Sequence, residues 1–239
     1  GTAKALVSKY AVCPTCGAPL NFHTIANPDY LENGYLPQWE HYKKWLTAIL
    51  NKKLCILELG VDFTFPQVIR FPEGELFVND MALAGDTLYV TVTNTGNIYA
   101  LDVAAPSKLD QQALTLYTNV PGANGIVVRD GVMYVASYPP DGVTTDKNVI
   151  YVIGDIRTPQ PAPLTHRAGQ YDGLALSDDG QRLYFTSWVN GEVGYWDFQN
   201  RSVQLLDLGD VELSGPARIA VRDGVLYVPD LPASRIVIV

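Results

Sequence analysis

Leu88-Tyr89-Val90 returns as Met133-Tyr134-Val135, Leu183-Tyr184-Phe185 and Leu226-Tyr227-Val228. The steps between these triplets are 45, 50 and 43 residues. A second marker precedes each triplet: Asn79-Asp80, Asn124-Gly125, Asp172-Gly173 and Pro216-Ala217. Counted from Asn79, Asn124, Asp172 and Ala217, it recurs after 45, 48 and 45 residues. Two markers that keep one period define a structural repeat.

Each unit has the same inner grammar. After the polar marker comes a short apolar run, such as Ile126-Val127-Val128 or Leu174-Ala175-Leu176. A turn follows at Arg129-Asp130-Gly131, Asp179-Gly180 or Arg222-Asp223-Gly224. Asp-Gly supplies the left-handed backbone that tight hairpins require. The triplet is the second strand. A third is expected over 97–103, 149–153 and 192–198, and a fourth near 114–117 and 203–206. Four short strands per unit of this length make a β-propeller blade. A β-sandwich with regular spacing is the alternative, but sandwiches do not repeat both markers. Residues 76–239 number 164, about 3.6 units of 45. The expected fold is mainly β, a partial propeller of about four blades. Its fourth unit runs to Val239 after a third strand, so the expectation is either a four-blade ring, if another strand completes the last sheet, or a truncated propeller with a sheet edge open to pairing.

The net charge of −8 is unevenly spread. Residues 1–72 hold 7 Lys+Arg and 5 Asp+Glu, against 10 and 20 in residues 73–239. The shift marks a domain boundary near residue 72, with blades over 73–239. An acidic surface argues against nucleic acid as a partner, because such binding needs clustered Lys and Arg. No apolar run is long enough to cross a membrane. Gly1 to Tyr10 has no charged-then-apolar export signal. The expected location is therefore cytoplasmic if this start is native, and secreted or periplasmic if a signal has been removed.

The segment before the boundary reads as a small α/β piece. Cys13-Pro14-Thr15-Cys16 is a zinc knuckle in form, two thiolates on a tight turn. A lone C-x-x-C pair is equally a reduced remnant. Trp39, Tyr42, Trp45, Leu46, Ile49 and Leu50 fall on one face of a helix expected over 35–51. Leu54 to Val61, which contains Cys55, reads as a buried parallel strand.

The marker dipeptides, each just before a blade's first strand, resemble the senescence-marker/gluconolactonase/luciferin-regenerating family. The resemblance implies a six-bladed propeller that hydrolyses lactones or related esters with a divalent cation, calcium first and zinc or magnesium next. It implies that Asn124 and Asp172 hold the cation on the channel axis. Asn79 contacts substrate or metal, with Asp80 beside it. The catalytic pair would be Asp172 and Asn79. The general base stays open between Asp172, another carboxylate and a metal-bound hydroxide. The family's further Glu ligand has no clear match, although Glu73 and Glu75 offer carboxylates in a loop. Asn and Asp at such places also cap turn amides without any ligand.

Cys13 to Cys16, the helix, Leu57 to Pro66 and Ile69-Arg70-Phe71-Pro72 together resemble the latter half of a bacterial sirtuin-like deacylase. That resemblance implies half a structural zinc site at Cys13 and Cys16, and Gly60, Val61 and Thr64 near a nucleotide. The phosphate loop and the catalytic His are missing: His23 and His41 both follow the cysteines. NAD chemistry is therefore not expected.

Three functions are carried forward. The first is a metal-dependent lactone or ester hydrolase acting on a small molecule. The second is a propeller that binds a protein or small ligand without chemistry. The third is a chimeric chain without intact activity. Tyr138-Pro139-Pro140 and the polar insertion Asp141 to Asn148 are expected to reach over the channel. Trp188 and Trp196 are expected to pack within blades, and His166 to sit in a solvated loop.

Overall fold

The computed structural model describes residues 69–104 and 114–239, together with Pro37, Glu40, His41, Lys43 and Lys44. The chain divides into two compact units, Gly1–Asn51 and Lys52–Val239. In the first unit the five described residues are α-helical and lie within the helix expected over 35–51. Cys13, Cys16, Cys55 and the strand expected over 54–61 lie outside the described residues.

The second unit is built of consecutive antiparallel sheets. The first holds β1 (Val78–Ala84), β2 (Thr87–Val92), β3 (Asn97–Asp102) and β4 (Leu114–Asn119). The second holds β5 (Ala123–Arg129), β6 (Val132–Ser137), β7 (Tyr151–Ile153) and β8 (Ala162–Pro163). The third holds β9 (Tyr171–Leu176), β10 (Arg182–Ser187), β11 (Glu192–Asp197) and β12 (Ser202–Leu205). The fourth holds β13 (Ala220–Arg222), β14 (Val225–Asp230) and β15 (Arg235–Ile238). Within every sheet the strands pair in chain order. The repeat triplets occupy β2, β6, β10 and β14. Two of the three Asp-Gly turns adopt the left-handed backbone at both residues, with φ 52° and 77° at Asp130 and Gly131 and 52° and 76° at Asp223 and Gly224, while at Asp179-Gly180 only the glycine does, at 72°.

The first strands β1, β5, β9 and β13 pack against one another in succession. Apolar clusters fill the junctions between consecutive sheets. Tyr89 and Ile98 meet Ile126, Met133 and Val135 at the first junction. Ala136 and Ile150 meet Tyr171, Leu174 and Phe185 at the second. Tyr184 and Val193 meet Ile219, Leu226 and Val228 at the third. Burying such side chains is the main stabilising contribution, about 1.5–3 kcal/mol for each large one. Ile69 is buried with Leu88, Val90 and Leu101, and Phe71 meets the Tyr99 ring edge-on at 5.3 Å. The segment just before residue 72 thus packs on the first sheet. On β15, Ile236 and Ile238 are exposed.

Candidate functional site

The repeated polar marker is a β-bulge. In the first sheet Val78 pairs with Val92 and Met81 with Val90, so Asn79 and Asp80 together oppose Thr91. In the second, Asn124 and Gly125 oppose Ala136. In the third, Asp172 and Gly173 oppose Thr186. The fourth keeps the place with Ala217 and Arg218, between the Pro216–Asp230 bridge and the Ala220–Tyr227 pair. A bulge sets two residues against one and re-aims a side chain, which is why bulges recur beside binding sites.

The two bulge residues do different work. The second meets the next sheet. A Cβ on Gly125 would lie 2.1 Å from the Asp172 carbonyl oxygen, and one on Gly173 would lie 2.6 Å from the Ile219 nitrogen. Glycine is required at both places by the close approach of backbone. Asp80 takes this place in the first sheet. Its carboxylate accepts the Met81 N–H at 2.8 Å and, from the second sheet, the Ile126 N–H at 3.0 Å. It is also ion-paired with the Arg218 guanidinium of the fourth sheet. Asp80 is thus buried in a structural junction, and it is not among the residues that line the cavity described next.

The first bulge residues converge. Asn79, Asn124 and Asp172 line one cavity of about 230 Å³, with Phe77, Thr93, Tyr138, Pro140 and Trp188. Thr93, Tyr138 and Trp188 are themselves equivalent, each five residues past the start of its triplet. One backbone bond sets each of them. Thr93 N donates to Phe77 O at 2.8 Å, Tyr138 N to Gly122 O at 2.8 Å and Trp188 N to Gln170 O at 2.9 Å. The lining therefore draws on two rows of equivalent positions, the polar bulge residues and the strand-end residues. The strand-end row has a sequence signal in the triplet period. Trp188, expected in a blade interior, instead faces the cavity, and its indole lies close to Gly215. Trp196 packs with the second junction as expected.

Side chains hold the rim in place. Asn94 Oδ1 accepts the N–H of Leu76 at 2.9 Å and of Phe77 at 3.1 Å, while its Nδ2 donates to Gly74 O at 2.7 Å. Glu75 is anchored by Thr95 at 2.5 Å, Asn97 at 2.8 Å and Tyr99 at 3.0 Å, away from the cavity. Gln170 Nε2 donates to Gly142 O at 3.0 Å and Thr144 Oγ1 at 3.2 Å, so the polar insertion is tied down beside Pro140. His166 is exposed and does not line the cavity.

Burial sets the electrostatics of the site. Burial pushes the Asp172 carboxyl up to about 6, and the Asp80 charge adds to the push. Burial likewise raises Asp80, against the opposing pull of Ile126 N–H, Arg218 and Met81 N–H. Burial, then the Asp172 charge, raises the Tyr138 phenol. Asn124 is 3% exposed, and its Oδ1 has no hydrogen-bond partner among the described residues. A buried acceptor left unpaired costs about 1–3 kcal/mol, so a donor or cation arriving there would be stabilising. Asn79, Asn124 and Asp172 are hard oxygen donors of the kind calcium or magnesium takes. They fit a divalent cation in donor type, with a single formal charge among them. No cluster of three or more His, Cys, Asp or Glu residues gathers among the described residues.

No family model and no curated protein matches the chain. Among solved structures, a chain from the crystal structure of a nidogen/laminin complex matches with a TM-score of 0.59 at 14% identity, over 73% of this chain and 63% of that one. A structural genomics protein of unknown function from Bacteroides thetaiotaomicron matches with a TM-score of 0.51 at 16% identity, over 68% of this chain and 42% of that one. The fold is a β-propeller. A streptogramin B lyase structure aligns at 0.49 and 16% identity over 67% of this chain and 53% of its own. The chain thus spans less than two thirds of the length of each of these three. In this propeller the first strands carry the bulges and the cavity, and the outer strands β4, β8 and β12 take no part in it.

Proposed function

We propose that the protein is a small-molecule-binding β-propeller whose ligand sits in the cavity between the bulge row and the strand-end row. One observation carries this reading. Polar residues from three successive sheets, Asn79, Asn124 and Asp172, meet aromatic residues from three, Phe77, Tyr138 and Trp188, around one concave space. An apolar wall with a few convergent polar groups and a shifted carboxyl is the usual composition of a ligand site. The test is a ligand screen by thermal melt on the full chain, repeated on Asp172→Asn and Trp188→Ala. A ligand at about 100 times its dissociation constant adds roughly 2.7 kcal/mol of stability. Hits whose shift persists undiminished in both variants would remove the cavity from the reading.

A second reading is a divalent-cation-dependent lactone or ester hydrolase. It is favoured by the unpaired Asn124 Oδ1 beside Asp172, which with Asn79 would hold the ion. A bound cation there would supply Lewis-acid polarisation of a carbonyl. The chain's own part would be to bind and orient: Asn79 and Thr93 by hydrogen bonds, Phe77 and Trp188 by covering the substrate. A calcium-dependent melt lost in Asp172→Asn, together with lactone hydrolysis lost in the same variant, is the expected outcome on this reading. A zinc-specific shift lost in Cys13→Ala would assign a separate structural metal to the Cys13–Cys16 pair.

A further inference from the structure

The charge inventory of the cavity is lopsided. Thr93 spends its hydroxyl proton on Ala123 O at 2.9 Å, leaving only lone pairs for a guest. Asn124 Oδ1 is an unpaired acceptor on a residue that is 3% exposed. Asp172 brings a carboxylate, and its nearest charged influence is another carboxylate, Asp80, already committed to Arg218. Among the described residues no Lys, Arg or His lines the space. A guest therefore meets one negative charge, acceptors on Thr93 and Asn124, and neutral donors on Asn79, Tyr138 and Trp188.

Those facts select among ligand classes. An anion would face Asp172 with no basic residue to offset it. A neutral sugar-like molecule could bond the acceptors but would leave the buried carboxylate without a counter-charge, a costly arrangement. A bare metal ion would use the oxygens but gain nothing specific from three aromatic rings. A cation on an apolar frame uses both surfaces. Aromatic faces attract such cations through the ring quadrupole, by about 0.5–1 kcal/mol at exposed sites and 2 or more when desolvated. The acceptors decide the head group further. Asn124 Oδ1 takes an N–H or O–H donor, and among cationic heads a primary ammonium has one and a quaternary one lacks it.

We propose that the cavity recognises a small primary amine in its protonated form, with its ammonium group on Asp172 and Asn124 and its hydrocarbon body against Phe77, Tyr138 and Trp188. This rests on the small-molecule-binding reading above and names the ligand class for the same site. Asp172 supplies the counter-charge, Asn124 Oδ1 takes a second N–H, and Trp188 with Tyr138 forms the apolar cover.

Titration calorimetry on the full chain at pH 7.5 tests this with four probes: 2-phenylethylamine, its neutral isostere 2-phenylethanol, tetramethylammonium and calcium chloride. The expected result is binding of 2-phenylethylamine at least tenfold tighter than 2-phenylethanol and tighter than tetramethylammonium. Asp172→Asn should weaken the amine at least tenfold and leave the alcohol within a factor of three. Trp188→Ala should weaken both. Thermal melts establish that each variant is folded. Equal affinity for the amine and the alcohol, with both lost in Trp188→Ala, overturns the amine assignment and leaves the small-molecule reading standing. Calcium binding that depends on Asp172, without amine binding, overturns it in favour of the metal. Silence from all four probes overturns it, and a screen equally silent on other compounds removes the small-molecule reading too.

Discussion

At the scale of single residues, Asp172, the carboxylate proposed to meet the ligand, is where such a role and stability would oppose each other. Its carboxyl is raised from 3.8 to about 6, chiefly by burial. A carboxyl raised on folding makes the folded state bind more protons than the unfolded one. Asp172's own contribution to stability is therefore most favourable below about pH 4, falls as pH rises toward 6, and carries the full penalty above that. About two pH units at about 1.4 kcal/mol each put the penalty at roughly 2–3 kcal/mol. Asp172→Asn should raise the melting temperature at pH 7.5 by several degrees and flatten the profile between pH 4 and 6, while weakening the proposed amine binding. Melts of both proteins at pH 4, 5, 6 and 7.5 measure this. Parallel profiles would mean that Asp172 does not carry the penalty. The neighbouring pair Asn79-Asp80 shows how far a sequence can be read at this scale. Both residues were legible as one polar marker. Their division, with Asn79 lining the cavity and Asp80 serving Ile126 and Arg218, depends on which residue of the bulge faces which sheet, and alternation alone does not give that. Trp188 was hidden for a similar reason: an aromatic residue at a strand end reads equally as packing or as cavity wall.

At the scale of elements, consecutive sheets are joined by a threonine device. Thr91 Oγ1 accepts the Asp80 N–H at 3.1 Å and donates to Asn124 O of the next sheet at 2.6 Å. Thr186 repeats it, accepting Gly173 N–H at 2.8 Å and donating to Ala217 O at 2.6 Å. Ala136 holds the equivalent place in the second sheet, and Pro229 in the fourth. Valine keeps the shape of threonine and removes the hydroxyl. It leaves a buried N–H and a buried carbonyl short of partners, at about 1–3 kcal/mol each. Thr91→Val and Thr186→Val should each lower unfolding free energy by about 2 kcal/mol in urea, and Thr→Ser should restore most of it. A cost below about 0.5 kcal/mol at both positions would show that the bridges contribute little. Gly125→Ala is more severe. Its Cβ would fall 2.1 Å from the Asp172 carbonyl oxygen, backbone that cannot swing aside. Overpacking costs typically about 1–3 kcal/mol and occasionally more, so this variant should melt at least about 5 °C lower than the parent. It should also bind ligand more weakly, because the displaced strand carries Asp172. The period of the sequence announced these elements well. It announced the turns as well, because Asp-Gly has few other uses. The inter-sheet bridges were not legible, since Thr91 and Thr186 look like ordinary strand threonines.

At the scale of the whole molecule, the question is what ties the fourth sheet to the first. Every other junction in the series is a packed apolar cluster between neighbours in sequence. Arg218 and Asp80 are instead 138 residues apart, and their ion pair links the bulge of the last sheet to the bulge of the first. The partners are unequal: the Asp80 side chain is 5% exposed and that of Arg218 is 64% exposed. An exposed partner weakens the pair, since surface ion pairs contribute about 0–1 kcal/mol. A buried carboxylate deprived of its cation strengthens the effect of removal, although Asp80 keeps two backbone N–H donors. Balancing these, Arg218→Met should cost about 1 kcal/mol. A double-mutant cycle with Asp80→Asn isolates the pair, because both variants keep the local shape. The expected coupling is about 0.5–1.5 kcal/mol, falling when salt is raised from 0.05 to 0.5 M because the Arg218 side is open to screening. Zero coupling at both salt concentrations would mean that the sheets hold their arc by apolar packing alone. A coupling that resists salt would mean that the pair is more enclosed in solution than Arg218's exposure implies. With the expected value, the cavity stands beside a closure that two residues can loosen. Arg218→Met should then also raise amide exchange at Ile126, the N–H that Asp80 holds across the first junction.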